Sequence, residues 1–209
     1  MIFKLDGQAL AFATTTVVSL RCPGCRQQGT FEPLSNVNDL VFGPKSTVFG
    51  LRRCPNDKCR AQIFFVWEQN KVLTSYPAER LDFDSSGVPV AVSSALEEAI
   101  TCHANQCYTA AAIMVRKTLE ELCHDRSATG PNLKERIKAL GATAVLPADL
   151  IAGMDHLRLL GNDAAHIESQ NFAKVGVEEV DVGILFAKEV LKAAYQYATL
   201  VSRLKSLQK

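Results

Sequence analysis

The segments Cys22-Pro-Gly-Cys25 and Cys54-Pro-Asn-Asp-Lys-Cys59 decide the fold of the N-terminal part of the chain. Thiolates two to four residues apart, carried on two separated turns, suit the four corners of a tetrahedral metal site. The proline directly after the first cysteine of each pair favours a tight turn that aims both sulfurs at one point. The spacing therefore predicts a structural zinc ribbon that binds one zinc per chain through Cys22, Cys25, Cys54 and Cys59.

Two other interpretations of these cysteines are weaker. Disulfides belong to oxidising compartments, and the stretch Val17–Leu20, followed by Arg21, lacks the apolar core of an export signal. Free buried cysteines would not explain the paired spacing. We therefore expect a cytoplasmic protein. Its metal site has four protein ligands and no open coordination position, so it builds structure and does not catalyse.

Composition excludes several classes of protein. The chain has 209 residues, of which 47% are hydrophobic and 22% are charged, and its formal net charge is +1. That near-neutral balance argues against a protein that holds nucleic acid by bulk charge. No segment is long and apolar enough to cross a bilayer, so no membrane partner is expected.

Short segments rich in Thr, Val, Phe and Ile fill the region before Pro77 and are bounded by Gly, Pro and Asn, which is typical of strands and turns. The predicted strands are Phe12–Leu20, Gly29–Glu32, Thr47–Arg53, Ile63–Glu68 and Val72–Tyr76. After Pro89 the apolar period becomes helical. We predict an α+β protein with a β zinc ribbon over 1–76, a linker over 77–90 and an all-α bundle over 91–209.

Start signals locate the predicted helices. A capping box at Ser94-Ala95-Leu96-Glu97 predicts the start of the first helix, and a second helix is expected from about Gln106 to Asp125. Asn132 can cap a third, Pro147 suits the first turn of a fourth, and a long last helix begins near Val177.

One polar stripe on the fourth helix carries Arg158, Asn162 and His166 at i, i+4 and i+8. In the first interpretation these residues form a structural polar edge, with Arg158 pairing a carboxylate such as Glu120. In the second they form an RNA-cleaving site, where an arginine stabilises phosphate charge and a histidine moves protons.

The segments Tyr108–Glu120 and Leu157–His166 resemble a bacterial domain-of-unknown-function family, DUF4145, whose members are similar to the HEPN superfamily of helical bundles. The resemblance implies a HEPN-like bundle and a homodimer through the helical domain. It also implies metal-independent endoribonuclease chemistry in toxin or phage-defence systems, with Arg158, Asn162 and His166 as catalytic residues. Arg116 and Glu120 would be the buried ion pair that organises the core.

Two functions follow from these observations. The first is an RNA-associated effector or adaptor in a bacterial conflict system. The alternative is a non-enzymatic, dimeric interaction adaptor in which the Arg/Asn/His stripe is purely structural, because Arg158 and His166 lie further apart than in the HEPN motif and Leu159 is apolar. The cations near the cysteine pairs have two interpretations: they contact RNA or an acidic protein surface, or they balance the negative charge of a four-thiolate zinc site. In the first interpretation Arg52, Arg53 and Arg60 are the first candidates for partner contact.

Overall fold

The structure is a computed structural model that describes residues 11–13, 16–143, 146–168, 171–172 and 174–207. The chain divides into two compact units, Met1–Asp82 and Phe83–Lys209. The first unit is an antiparallel sheet and the second is helical, so the architecture is α+β. None of the helices in the described ranges is long and apolar enough to cross a membrane.

The described part of the first unit contains seven strands. They are β1 Ala11–Ala13, β2 Val18–Arg21, β3 Gln28–Pro33, β4 Asp39–Phe42, β5 Thr47–Arg53, β6 Gln62–Glu68 and β7 Lys71–Tyr76. Along one path the order is β1-β4-β5-β3-β2, while β6 pairs with the other edge of β5 and then with β7. The long strand β5 is therefore the centre of the sheet, because it contacts three other strands.

The side-chain alternation of β5 defines the core face. Val48, Gly50 and Arg52 are buried, whereas the residues between them are only partly buried. The same face collects the largest buried side chains of the neighbouring strands, including Phe31, Ile63 and Phe65. Cys22 and Cys54 belong to this cluster, so the core of the sheet and the cysteine pairs form one packed unit.

The hairpin between β6 and β7 turns through two residues. Glu68 pairs with Lys71, and Gln69 and Asn70 both adopt positive φ, 48° and 66°. Positive φ at both central residues is the requirement of the hairpin turn that matches strand twist. The last strand, predicted to begin at Val72, therefore begins one residue earlier, at Lys71.

Two strand predictions need correction. The single strand predicted for Phe12–Leu20 is β1 and β2 in the structure, with residues 14–15 outside the described ranges. Strand β4 was not predicted, because it is short and begins with an aspartate, a residue depleted in strands.

The helical unit is built from six α-helices in its described part. They are α1 Val90–Ala104, α2 Tyr108–Asp125, α3 Leu133–Thr143, α4 Ala148–Ala165, α5 Val177–Leu191 and α6 Tyr197–Ser206. The capping box predicted at Ser94 is wrong, since α1 begins four residues earlier, directly after Pro89. A proline loses nothing at a helix start, where its missing N–H would have no intrahelical acceptor.

Hydrogen bonds or position in the chain explain where the other helices begin. The backbone N–H of Glu135 donates to Asn132 Oδ1 at 3.0 Å, so Asn132 caps α3. Pro147 directly precedes α4. At the start of α5, the backbone N–H of Gly176 donates to Glu179 Oε2 at 2.9 Å. These bonds satisfy donors that a helix N-terminus otherwise leaves unpaired.

Helices α2 and α4 approach closely at Gly161. A Cβ atom on Gly161 would overlap Arg116 Cβ and would lie 3.2 Å from the carbonyl oxygen of Ala112. The absence of a side chain therefore lets the two backbones pack together at this crossing. Val115 and Leu119 on α2, and Leu157 and Leu160 on α4, are buried on either side of it.

A π-helical turn, Lys192–Gln196, joins α5 to α6, and the N–H of Tyr197 donates to the carbonyl of Lys192. The turn directs two side chains into contacts within the helical unit. Tyr195 donates its hydroxyl to Asp125 Oδ2 at 2.7 Å, and Gln196 Nε2 donates to the carbonyls of Asp84 and Ser86 at 2.9 and 3.1 Å. The second half of the predicted linker is therefore fastened to the helical unit.

Candidate metal centre and the polar stripe of helix α4

The first cysteine pair lies on a tight knuckle between β2 and β3. The N–H of Cys22 donates to the carbonyl of Gln27 and the N–H of Arg26 donates to the carbonyl of Cys22, both at 2.9 Å. Arg26 adopts a left-handed φ of 61°, which reverses the chain after Cys25. The N–H of Gly24 points at Cys22 Sγ, 3.4 Å away, and stabilises negative charge on that sulfur.

The second cysteine pair repeats this construction between β5 and β6. The N–H of Cys54 donates to the carbonyl of Ala61 at 2.8 Å, and the N–H groups of Cys59 and Arg60 both donate to the carbonyl of Asn56 at 2.9 Å. Arg60 has a φ of 49°, matching Arg26 in the first knuckle. Four residues separate the cysteines of this pair and two separate those of the first pair, yet both turns end at an arginine with positive φ.

The four sulfurs meet in one cluster. The Sγ atoms of Cys22, Cys25, Cys54 and Cys59 all lie within 4.8 Å of one another. The Cys22–Cys59 and Cys25–Cys54 sulfur distances are both 3.8 Å. Four sulfurs placed tetrahedrally about 2.3 Å from a metal ion would be about 3.8 Å apart, so the cluster has the size of a four-thiolate metal site.

The surroundings act differently on the individual sulfurs. Burial raises the pKa of the Cys54 thiol to about 12, whereas the backbone N–H of Gln27 lowers the pKa of Cys25 to about 7. Burial also raises the pKa of Cys22. A metal ion would hold all four sulfurs as thiolates and release their protons. Because four protein ligands complete a tetrahedron, such a site leaves no position for a substrate.

Close packing at Gly24 and a hydrogen bond between Asn56 and Gln27 hold the two knuckles together around the cluster. A Cβ on Gly24 would lie 3.2 Å from both Cys59 Sγ and Ala61 Cβ, which is tighter than ordinary packing. Asn56 Nδ2 donates to Gln27 Oε1 at 3.0 Å and so joins one knuckle to the other. The cluster is therefore supported by contacts between the knuckles in addition to its sulfurs.

The cations near the knuckles do not form one surface. Arg52 is only 1% exposed and is bound on both guanidinium nitrogens by Asp39, so the prediction that Arg52 contacts a partner is wrong. Arg53 is partly exposed and pairs with Glu32 at 3.1 Å. Lys58 and Arg60 are the exposed cations of the second knuckle, and Arg60 is 3.9 Å from Asp57. Lys58 and Arg60 therefore give the second knuckle a small, solvent-exposed basic surface.

Helix α4 carries Arg158 and Asn162 about one turn apart, as the spacing predicts. His166 follows the last residue of the helix with an extended backbone, φ −133° and ψ 121°, so the prediction that it continues the helical stripe is wrong. The Nε atom of Arg158 donates to Asp155 Oδ1 at 2.6 Å, and the Arg158 side chain is only 14% exposed. Asn162 is partly buried, and its backbone carbonyl accepts the N–H of His166 at 2.8 Å. His166 is exposed and follows the last residue of the helix. The carboxylate partner of Arg158 is thus Asp155, from its own helix, and not Glu120.

Arg116 and Glu120 lie on α2, one helical turn apart. Arg116 Nε donates to Glu120 Oε1 at 3.2 Å, and the two side chains are 29% and 30% exposed. The expected pairing is therefore present, but the expected burial is wrong. The aliphatic part of Arg116 packs against Gly161, so this residue contributes to the α2–α4 crossing through its stem.

Residues 97–208 match the family described as Domain of unknown function (DUF4145), which is more than half of the chain. The chain belongs to this family. The DUF4145 match begins inside α1 and extends past the end of α6, so the whole polar stripe and the α2–α4 crossing lie within it. The cysteine cluster lies outside the DUF4145 match. No curated protein and no solved structure matches the chain.

Proposed function

We propose that this DUF4145 protein is a zinc-stabilised interaction adaptor, made of a zinc ribbon and a HEPN-like helical domain, that works without cleaving RNA. The context is a bacterial conflict or defence system, as the likeness of its helical domain to the HEPN superfamily implies. The observation that carries the proposal is the ion pair between Arg158 and Asp155.

The ion pair argues against a nuclease for an electrostatic reason. A cleavage site needs a cation that is free to stabilise the charge developing on a phosphate. Arg158 is mostly buried and 2.6 Å from a carboxylate of its own helix, so a phosphate would have to compete with a fixed negative charge. Asp155 also contributes its own charge, which repels an approaching phosphate.

Zinc is the proposed metal because the ligands are four thiolates in tetrahedral array. Soft sulfur ligands in this geometry select zinc or an iron–sulfur cluster. The two knuckles carry paired cysteines on tight turns, which is the usual arrangement of a structural zinc site. In this proposal the zinc holds the ends of β2, β3, β5 and β6 together and presents the second knuckle, with Lys58 and Arg60, to an acidic protein partner.

An RNA cleavage assay tests the absence of catalysis. Full-length protein at stoichiometric ratio to labelled RNA, with and without EDTA, should leave the RNA intact. His166→Ala and His156→Ala serve as a matched pair, since both histidines are exposed on or beside α4 and only His166 was predicted as a catalytic residue. Cleavage by the wild type that persists in EDTA, survives His156→Ala and disappears in His166→Ala would establish the nuclease instead.

A further inference from the structure

Helix α1 ends in a turn that brings two cysteines together. The N–H of Cys107 donates to the carbonyl of Cys102 and the N–H of Gln106 donates to the carbonyl of His103, both at 2.9 Å. Gln106 has a left-handed φ of 63°. These features define a Schellman motif, a helix ending in which a side chain of the last turn commonly contacts the second residue beyond the cap. Cys102 and Cys107 occupy those two positions.

The backbone of this turn suits a disulfide between the two cysteines. With standard bond lengths and angles, the 2.9 Å hydrogen bond keeps the Cα atoms of Cys102 and Cys107 within about 6.8 Å of each other. Disulfides join cysteines whose Cα atoms are about 4.4–6.8 Å apart. The thiol of Cys107 donates to the carbonyl of Asn105, 3.6 Å away, and a thiol is a weak donor, so this contact does not fix the sulfur. Rotation about the Cα–Cβ bond therefore brings the sulfur towards Cys102 without moving the backbone.

The two thiols differ in their access to solvent. Cys107 is exposed, so an oxidant in solution reaches its sulfur. Cys102 is partly buried, and this burial raises the pKa of its thiol, with smaller contributions from the charges of Cys107 and Glu98. Cys102 is therefore the poorer nucleophile towards an oxidant. The effect of the Cys107 charge on Cys102 is a further sign that the two side chains are close.

A metal site is the other chemistry that paired cysteines suggest, and the surroundings argue against it. The histidine between them in sequence, His103, has its Nε2 atom 2.8 Å from Asp181 Oδ1 on α5, so this imidazole is already paired. Within the described ranges, the cysteine cluster of the β unit is the one group of three or more candidate ligands close enough to hold an ion. Two thiols alone do not complete the four ligands of a structural metal site.

We propose that Cys102 and Cys107 form a reversible disulfide in response to hydrogen peroxide. The thiolate of Cys107 attacks one peroxide oxygen, the O–O bond breaks and hydroxide leaves, so that Cys107 becomes a sulfenic acid. The sulfur of Cys102 then attacks the sulfur of Cys107 and displaces hydroxide, which takes the proton of the Cys102 thiol as water. The peroxide is reduced to two waters, and the two thiols together lose two electrons. Transient, redox-sensing disulfides also form in reducing compartments. This inference depends neither on the proposed adaptor function nor on the metal.

Peptide mapping of the full-length protein tests the proposal. Trypsin cleaves after Arg80 and next after Arg116, so Cys102 and Cys107 lie in one peptide, 81–116, that contains no other cysteine. The protein is treated with peroxide, quenched with catalase and alkylated with iodoacetamide under denaturing conditions. Peptide 81–116 should then carry no alkyl group and be lighter than the reduced peptide by two hydrogen atoms. Dithiothreitol should restore both thiols.

Single variants assign the two roles. Cys107→Ser should abolish the bridge and leave Cys102 as a free thiol. Cys102→Ser should leave Cys107 as a sulfenic acid, which dimedone traps. The matched control is Cys123, which is buried in the same helical unit and whose pKa burial raises to about 11. Cys123 should lose its free thiol at least about tenfold more slowly than Cys107.

Three results would overturn the proposal. The first is a peptide 81–116 that keeps two free thiols under conditions that oxidise free cysteine in the same tube. The second is a bridge from Cys102 or Cys107 to another cysteine or to a second copy of the chain. The third is loss of the Cys107 and Cys123 thiols at the same rate. The four cysteines of the cluster lie in other tryptic peptides, so their oxidation is scored separately.

Discussion

Arg52 and Asp39 form a two-pronged ion pair inside the β unit, with distances of 2.7 Å from Nη1 to Oδ1 and 2.5 Å from Nη2 to Oδ2. Neither side chain is more than 1% exposed. Arg52 also donates to the carbonyl of Thr16 and lies over the Phe65 ring, 4.6 Å from its centroid. The pair joins β4 to β5 at the centre of the sheet.

Breaking this pair should destabilise the β unit strongly. Asp39→Ala leaves a buried guanidinium without its counter-charge, which costs roughly 3–5 kcal/mol. Urea unfolding followed by the fluorescence of Trp67, the single tryptophan of the chain, measures the loss. Glu32→Ala is the matched control, because Glu32 pairs with the partly exposed Arg53 and should cost less than about 1 kcal/mol. Equal losses for the two variants would contradict the burial of the Asp39 pair.

Replacing Gly161 at the α2–α4 crossing should destabilise the helical unit. In Gly161→Ala the new methyl group overlaps Arg116 Cβ, so the helices must separate, and the free energy of unfolding should fall by about 1–3 kcal/mol. Gly141→Ala, on α3, provides the comparison, because its methyl group would meet Ile151 at 3.3 Å and gain helix propensity. Thermal unfolding followed at 222 nm distinguishes the two. A Gly161→Ala protein as stable as Gly141→Ala would show that the crossing is loose.

Glu120→Ala should have a small effect. The Arg116–Glu120 pair is about 30% exposed on both sides, so solvent screens it and the remaining arginine stays hydrated. The expected loss of unfolding free energy is below about 1 kcal/mol. A loss of several kcal/mol, measured in the same urea experiment, would mean that Glu120 compensates a charge that is buried in solution.

The ion pair of Arg158 with Asp155 predicts a pH dependence of the helical unit. The hydrogen bond from Arg158 holds the pKa of Asp155 below its ordinary value of 3.8. The pair therefore stabilises the fold above that pH, and the contribution is lost as pH falls through the lower, folded-state pKa. Urea midpoints from about pH 5 to pH 3 should fall less steeply in Asp155→Asn than in the wild type. Arg158→Gln should also fall less steeply than the wild type, because Asp155 then lacks the hydrogen bond that lowers its pKa, and a wild-type slope in this variant would contradict the pairing.

Much of the fold could be predicted from local signals. The cysteine spacing predicted one cluster of Cys22, Cys25, Cys54 and Cys59, because knuckle geometry depends on residues close in sequence. The helix boundaries at Asn132 and Pro147 are local for the same reason. The segments Tyr108–Glu120 and Leu157–His166 predicted the DUF4145 family, which the match over residues 97–208 confirms.

Features that depend on distant contacts could not be predicted. Asp39 and Arg52 are on different strands, and charged residues are almost never fully buried unless paired, so neither residue signals its position. The π-helical turn at Lys192–Gln196 is fixed by Asp125, Asp84 and Ser86, which are remote in sequence. Asp155, the carboxylate that pairs with Arg158, is three residues away on the same helix, whereas the predicted partner, Glu120, is on a different helix.

Metal analysis of protein purified without added metal tests the central claim most directly. The account predicts one zinc per chain, bound by four sulfurs at about 2.3 Å in X-ray absorption. Cys54→Ser should lose the zinc and the β structure while the helical signal largely persists, because the helical unit has its own core. A folded β unit without metal, or a disulfide between Cys22 and Cys25, would contradict the account.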